Sequence, residues 1–151
     1  MTASTRADAL QLLGSFLGED AHYLDSRAAY GDEGGPALER ALDLFVARPD
    51  LGFVWLAYAN ERLAVGACVV CYAISTSRGA LVAKLDDVSV RDGWQRRGVG
   101  TTMLTTLAQA LRREGATRID SACHRDNAGA WRFYERLGFR SLREERIALL
   151  L

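Results

Sequence analysis

The chain has 151 residues, 49% of them hydrophobic and 25% charged, a composition that suits one packed domain over residues 1–151 and excludes a disordered or fibrous chain. Nineteen basic residues balance nineteen acidic ones, so the basic footprint of a nucleic-acid or anionic-membrane binder is missing, and neither partner is expected. No apolar run reaches the roughly 18 residues that would span a bilayer, residues 1–20 lack the apolar core of a signal peptide, and three cysteines (Cys68, Cys71, Cys123) give an odd count that suits free thiols in a reducing compartment; a cytoplasmic protein without a metal site is the expectation.

Leu10, Leu13 and Leu17 are spaced as an amphipathic helix over Ala7 to Leu17. Gly18 to Pro36 is polar and glycine-bearing and reads as a loop, after which Leu38, Ala41, Leu42 and Phe45 mark a second helix up to Arg48, stopped by Pro49. Phe53 to Ala59 and Leu63 to Ile74 are β-prone runs joined at Asn60-Glu61, an antiparallel hairpin in which Gly66 marks a bulge. A third strand runs from Leu81 to Val90. Gly98 and Gly100 then open a helix with Met103, Leu104, Leu107 and Leu111 on its apolar face and Gly115 at its end. Arg118 to Cys123 is a short strand, Ala128 to Leu137 a helix with Ala130, Tyr134 and Leu137 on one side, and Leu142 to Leu151 a closing strand. The order predicts a mixed α/β fold around one sheet, with a right-handed crossover and a parallel strand pair between about residues 85 and 123.

The segment Gln95-Arg96-Arg97-Gly98-Val99-Gly100-Thr101 lies between the third strand and an amphipathic helix. A helix N-terminus exposes unpaired N–H groups and a partial positive charge, and glycines let that backbone approach an anion closely, so the turn suits a phosphate. The same glycines would also serve a tight turn with no ligand. The spacing is not that of a dinucleotide-binding GxGxxG, and no lysine follows as a P-loop requires.

Gln95 to Gly100 resembles the Q/RxxGxG/A turn of the GCN5-related N-acetyltransferase (GNAT) family. The resemblance extends upstream through Leu85-Asp86-Asp87-Val88-Ser89-Val90 and downstream to Asn127, Trp131-Arg132-Phe133-Tyr134 and Leu137-Gly138-Phe139, covering about residues 51 to 151. It implies a single mixed, mostly antiparallel sheet, splayed between the acetyl-CoA strand and the parallel strand after it and flanked by about four helices. It further implies that acetyl-CoA is the acyl donor, its pantetheine lying like a short strand beside Val88, Ser89 and Val90 and its pyrophosphate on the turn formed by Gln95, Arg96, Arg97, Gly98, Val99, Gly100 and Thr101. By the same resemblance Asn127 would bond the pantetheine arm, Tyr134 would be the general acid, and the Val88 N–H would polarise the thioester carbonyl.

Deprotonating the acceptor amine falls to Asp86 or Asp87, which alternate faces along a strand. Asp86 shares the face of Val88 and Val90 if the strand is unbulged, and a bulge would reverse the choice; Asp86, through water, is the base expected, with Asp87 beside the substrate and His124 a rival. Tyr30, Asp32 and Glu33, with Asp25, suit a cationic amine. The expected function is acetylation of a small-molecule primary amine by direct transfer in a ternary complex; the alternatives are a peptide or protein N-acetyltransferase and a non-catalytic acetyl-CoA sensor. Only Met1 to Thr5 precede the first helix, so the family's usual first strand is expected to be very short or missing, and the apolar end Ile147 to Leu151 suits a strand buried on both faces or a sheet edge covered by a second subunit; a homodimer is the expectation.

Overall fold

In a computed structural model the described residues are 1–150, apart from the side chain of Tyr30; Leu151 lies outside them. Arg6–Glu19 forms α1, Ala21–Ser26 α2 and Gly35–Ala47 α3; the strands Gly52–Asn60 (β1), Leu63–Ser75 (β2) and Ala80–Val90 (β3) follow, then α4 (Val99–Arg113), β4 (Ile119–Ser121) and α5 (Ala128–Arg136). The sheet order is β1-β2-β3-β4, antiparallel at the first two junctions and parallel at the last, where α4 makes the crossover.

Strand β2 is buried on both faces, which is why it reads as an almost unbroken apolar run. Its period of two sends Cys68 and Val70, with Ala83 and Leu85 of β3, into a core shared with α4 and α5, while Ala67 and Val69 join Val54 of β1 in a second core with α1 and α3. The sheet is thus the middle of three layers. The apolar face read for α4 is the buried face: Met103, Leu104, Leu107 and Leu111 are all buried, each large side chain contributing about 2 kcal/mol by its removal from water. In α1 the buried residues are Ala9, Leu12 and Leu13, a face rotated from the Leu10, Leu13, Leu17 stripe.

Two expectations are corrected. Gly18 to Pro36 is not all loop: Asp20 caps α2, its carboxylate accepting the Tyr23 N–H at 2.8 Å, and a 3-10 turn spans Arg27–Tyr30. The closing strand does not form over residues 142–150. The charged run Arg143-Glu144-Glu145-Arg146 interrupts the apolar pattern, and Arg143 adopts a left-handed φ of 57° with its N–H bonded to Ser141 Oγ, a turn that breaks an extended course. Over this segment Arg146 reaches Asp86 of β3 and Leu150 lies against Gly31.

Two irregularities position the site. Between β2 and β3 the register passes from Ala67↔Ser89 to Val69↔Asp86, so Asp87 and Val88 together oppose Cys68, and Asp87 takes a left-handed φ of 50°. That is a β-bulge held in a conformation costly for a residue other than glycine, which Asp tolerates better than most. Between β3 and β4 the pairing covers only Ala83↔Ile119, Lys84↔Asp120 and Leu85↔Ser121. Among the described residues, Asp86 to Val90 of β3 have no β4 partner, and the sheet splays.

Candidate functional site

The mouth of the splay is built by the last shared pair. Ser121 Oγ donates to the Leu85 carbonyl at 3.1 Å, clamping β4 to β3 at the point where they part. Tyr134 reaches this point from α5. It is 7% exposed, packed against Phe133 and Phe139 with ring centroids 5.4 and 5.2 Å away, and its hydroxyl is within hydrogen-bonding reach of Ser121. Burial raises its phenol above the ordinary value, the Ser121 hydrogen bond pulls the other way, and nearby Cys123, Cys68 and Asp86 add to the rise. The proton is therefore held through neutral pH. Ser121, Cys123, Trp131 and Tyr134 line a cavity of about 430 Å³.

The bulge settles the geometry of the two aspartates. With one extra residue in β3, Asp86 no longer shares the face of Val88 and Val90, so the premise on which Asp86 was preferred as base fails. Asp86 is ion-paired with Arg146, Nη1 to Oδ1 3.3 Å. At Asp87, burial first, then the neighbouring charge of Asp86, raises the carboxyl to about 6, against a smaller lowering by Arg146. A carboxyl that titrates near 6 can accept a proton at neutral pH and release it again. His124 is occupied. Its Nδ1 accepts the Asp126 N–H at 3.2 Å and its Nε2 lies 3.0 Å from Asp25, so the neutral ring's lone pair is already used, and the imidazole stacks on His22 of α2 at 5.2 Å.

The turn before α4 gives each glycine a separate reason. Gly98, at φ 85°, is the left-handed N-cap, and a Cβ on Gly100 would lie 3.2 Å from the Phe133 ring. No side chain caps α4 among the described residues, so the N–H groups of Val99, Gly100 and Thr101 point outward without an acceptor inside the helix. Gln95 braces the turn, its amide donating to the Val90 carbonyl at 3.1 Å and to Asp92 at 3.0 Å. Arg96, at φ 59°, and Arg97 are exposed, and the Arg97 guanidinium lies 5.6 Å from the centre of the Trp94 ring. A second cavity, about 450 Å³, is lined by Val88, Ser89, Val90 and Gln95 on one side and by Gln11, Ser15, Phe16 and Glu19 of α1 on the other. Ser89 Oγ is buried there with no hydrogen-bond partner among the described residues, an orphan that a bound ligand would satisfy. Together with the open edge of β3 and the bare start of α4, these groups fit a ligand with amide and phosphate functions. Asn127 caps α5 by accepting the Ala130 N–H at 2.9 Å, which leaves its amide nitrogen to donate.

The structure brings Val88, Ser89, Val90 and Gln95 together at one cavity, places Tyr134 at the other, and sets Asp86 and Asp87 on the strand between. It does not bring Asp32 and Glu33 to them. Asp32 accepts the Gly34 N–H at 2.7 Å, Glu33 pairs with Arg40 of α3, and both are exposed; the Tyr30 side chain lies outside the described residues. Ser121 and Arg146 were not singled out from sequence. Ser121 carries no local signal, and Arg146 meets an aspartate 60 residues away.

The profile of the acetyltransferase (GNAT) family matches residues 19–139. Among solved structures, a probable acetyltransferase superposes with a TM-score of 0.80 at 22% identity, covering 100% of this chain and 94% of its own. A ribosomal-protein-alanine N-acetyltransferase from Brucella melitensis biovar Abortus 2308 gives 0.74 at 11% identity, with 99% and 96% covered. An aminoglycoside acetyltransferase from an uncultured soil metagenomic sample, in complex with sisomicin, gives 0.69 at 16% identity, with 100% and 91% covered. With four-fifths of its length matched by the family profile, and with the splayed sheet and glycine turn in place, the chain belongs to the GNAT acetyltransferase family.

Proposed function

We propose that the chain transfers the acetyl group of acetyl-CoA to a primary amine of a small molecule, directly and within a ternary complex. The observation that carries the reading is the stretch Asp86–Val90, which has left β4 and lies between the bare start of α4 and the Tyr134 hydroxyl. In this reading pantetheine bonds the backbone of Val88–Val90 and the pyrophosphate rests on the N–H groups of Gly98–Thr101, main-chain donors that need no basic side chain. The amine nitrogen attacks the thioester carbonyl carbon and its proton passes to Asp87. The C–S bond breaks as the C–N bond forms, and the departing sulfur takes the Tyr134 proton, which solvent restores. The Val88 N–H stabilises the charge that develops on the carbonyl oxygen.

In this reading the cavity of about 450 Å³ between α1 and β3 takes the pantetheine arm; a small acceptor is supported by a relative of the same fold, an aminoglycoside acetyltransferase that was solved with sisomicin. The test is thiol release from acetyl-CoA over a panel of polyamines, amino sugars, amino acids and short peptides. Turnover driven by one small-amine class is the expected result. Turnover with peptides alone would move the acceptor to a polypeptide, and acetyl-CoA binding without thiol release would make the chain a sensor.

A further inference from the structure

The connection between β4 and α5 is a tight turn shaped by one imidazole. The His124 carbonyl accepts the Asn127 N–H at 2.9 Å, closing the turn over Arg125 and Asp126, and His124 Nδ1 accepts the Asp126 N–H at 3.2 Å. A side chain at the first position of a turn that accepts the N–H two residues on is the part Asp and Asn ordinarily play. The last residue of the turn is Asn127, which accepts the Ala130 N–H as the N-cap of α5 and keeps its amide nitrogen free to donate. We propose that His124 is a positioning residue for Asn127 and that only its neutral ring can serve, so that cofactor binding weakens when His124 takes a second proton. The proposal rests on the acetyl-transfer reading above, with Asn127 donating to the pantetheine arm, and adds to it a residue that sets the strength of cofactor binding without touching the cofactor.

Three contacts fix the ring. An N–H donor at Nδ1 requires the lone pair there, so the single proton of the neutral ring sits on Nε2, which donates to Asp25 Oδ2 at 3.0 Å. Asp25 belongs to α2, 99 residues away in sequence, and the ring also stacks on His22 of the same helix, centroids 5.2 Å apart. Helix α2 therefore sets the tautomer on which the turn depends. A second proton would land on Nδ1 and make it a donor facing the Asp126 N–H. Two donors cannot share that contact, and the turn loses the bond that shapes it. The titratable groups facing the ring are His22 and Asp25 of α2 and Asp126 of the turn, whose carboxylate lies 3.9 Å from Nδ1. With 21% of the His124 side chain accessible, solvent protons reach the ring.

The test measures CoA affinity by calorimetry against pH in three full-length chains, while nitrogen-15 NMR of the His124 ring reads its tautomer and its midpoint. His124→Asn keeps an acceptor for the Asp126 N–H but does not titrate; His124→Phe keeps a flat ring against His22 and accepts nothing. At pH 8 the parent and His124→Asn should bind CoA within about twofold of each other and His124→Phe about three- to tenfold more weakly, the loss expected for one hydrogen bond. The ratio of parent to His124→Asn cancels the ionisation of CoA itself and of groups elsewhere in the chain. It should fall by the same factor as pH drops through the ring's midpoint. A ratio that stays level across that midpoint, His124→Phe binding like the parent, His124→Asn binding as weakly as His124→Phe, or a neutral ring protonated on Nδ1 overturns the proposal alone. A parent chain that binds no CoA at any pH overturns the cofactor reading, and this proposal with it.

Discussion

Replacing Tyr134 by phenylalanine should lower kcat by about 100-fold or more while leaving the KM for acetyl-CoA within about twofold, because the change removes one proton donor and no binding surface. The side chain is buried between Phe133 and Phe139, so the ring stays where it is, and the hydroxyl's loss costs the fold only about 1 kcal/mol, the ordinary contribution of one hydrogen bond. Thermal unfolding measured beside steady-state thiol release separates the two effects. A Tyr134→Phe chain that turns over at the parental rate would remove Tyr134 from the chemistry and leave it a core residue.

The second large effect is expected at Asp87. Asp87→Asn should lower kcat/KM for the amine by about 100-fold or more and abolish the acidic limb of the pH profile. In the parent that limb should lie near 6, where Asp87 titrates, with activity rising as the carboxyl loses its proton and holding until the amine or Tyr134 titrates at higher pH. The same residue should cost the fold stability. Its folded value of about 6 lies above the ordinary 3.8, so the folded state binds the proton more tightly than the unfolded chain. The penalty is absent below about pH 4, grows as pH rises through the interval between the two values, and is complete above 6, at roughly 2–3 kcal/mol. Asp87→Asn should accordingly be inactive yet more resistant to urea at pH 8 than the parent, with the difference vanishing near pH 4. A substituted chain less stable than the parent at pH 8 would mean that the carboxylate is holding the bulge together, and the burial argument would fail.

The parts of the structure that were legible in sequence are those governed by short-range rules. Met103, Leu104, Leu107 and Leu111 recur at helical spacing and form one buried face; Gly98 and Gly100 stand where a left-handed cap and a close ring contact demand them. The Gly66 bulge was also visible, displaced by one residue: the pairing moves from Ala57↔Gly66 to Tyr58↔Ala64, so Val65 is the extra residue. The Asp87 bulge was not visible, because its left-handed position carries no glycine and nothing in Leu85 to Val90 breaks the strand pattern. That single irregularity takes Asp86 off the face of Val88 and Val90. Helix α2 was hidden by the polarity of its surroundings, although Asp20, a favoured residue at a helix N-cap, was a signal that could have been read. The course of residues 142–150 depends on a charge pair across 60 residues and a left-handed arginine, neither of which is a property of the apolar run that suggested a strand.

The three-pair seam between β3 and β4 gives the two halves of this sheet different mechanical characters. β1, β2 and β3 are zipped over nearly their whole length, with both faces covered, and belong to the part of the molecule that opens only on global unfolding. β4 is tied by three register pairs and the Ser121 clamp, a tether short enough to loosen on its own. In the proposed reading the thioester enters there, between a stiff wall on one side and a compliant one on the other, and the width of the slot can follow its contents.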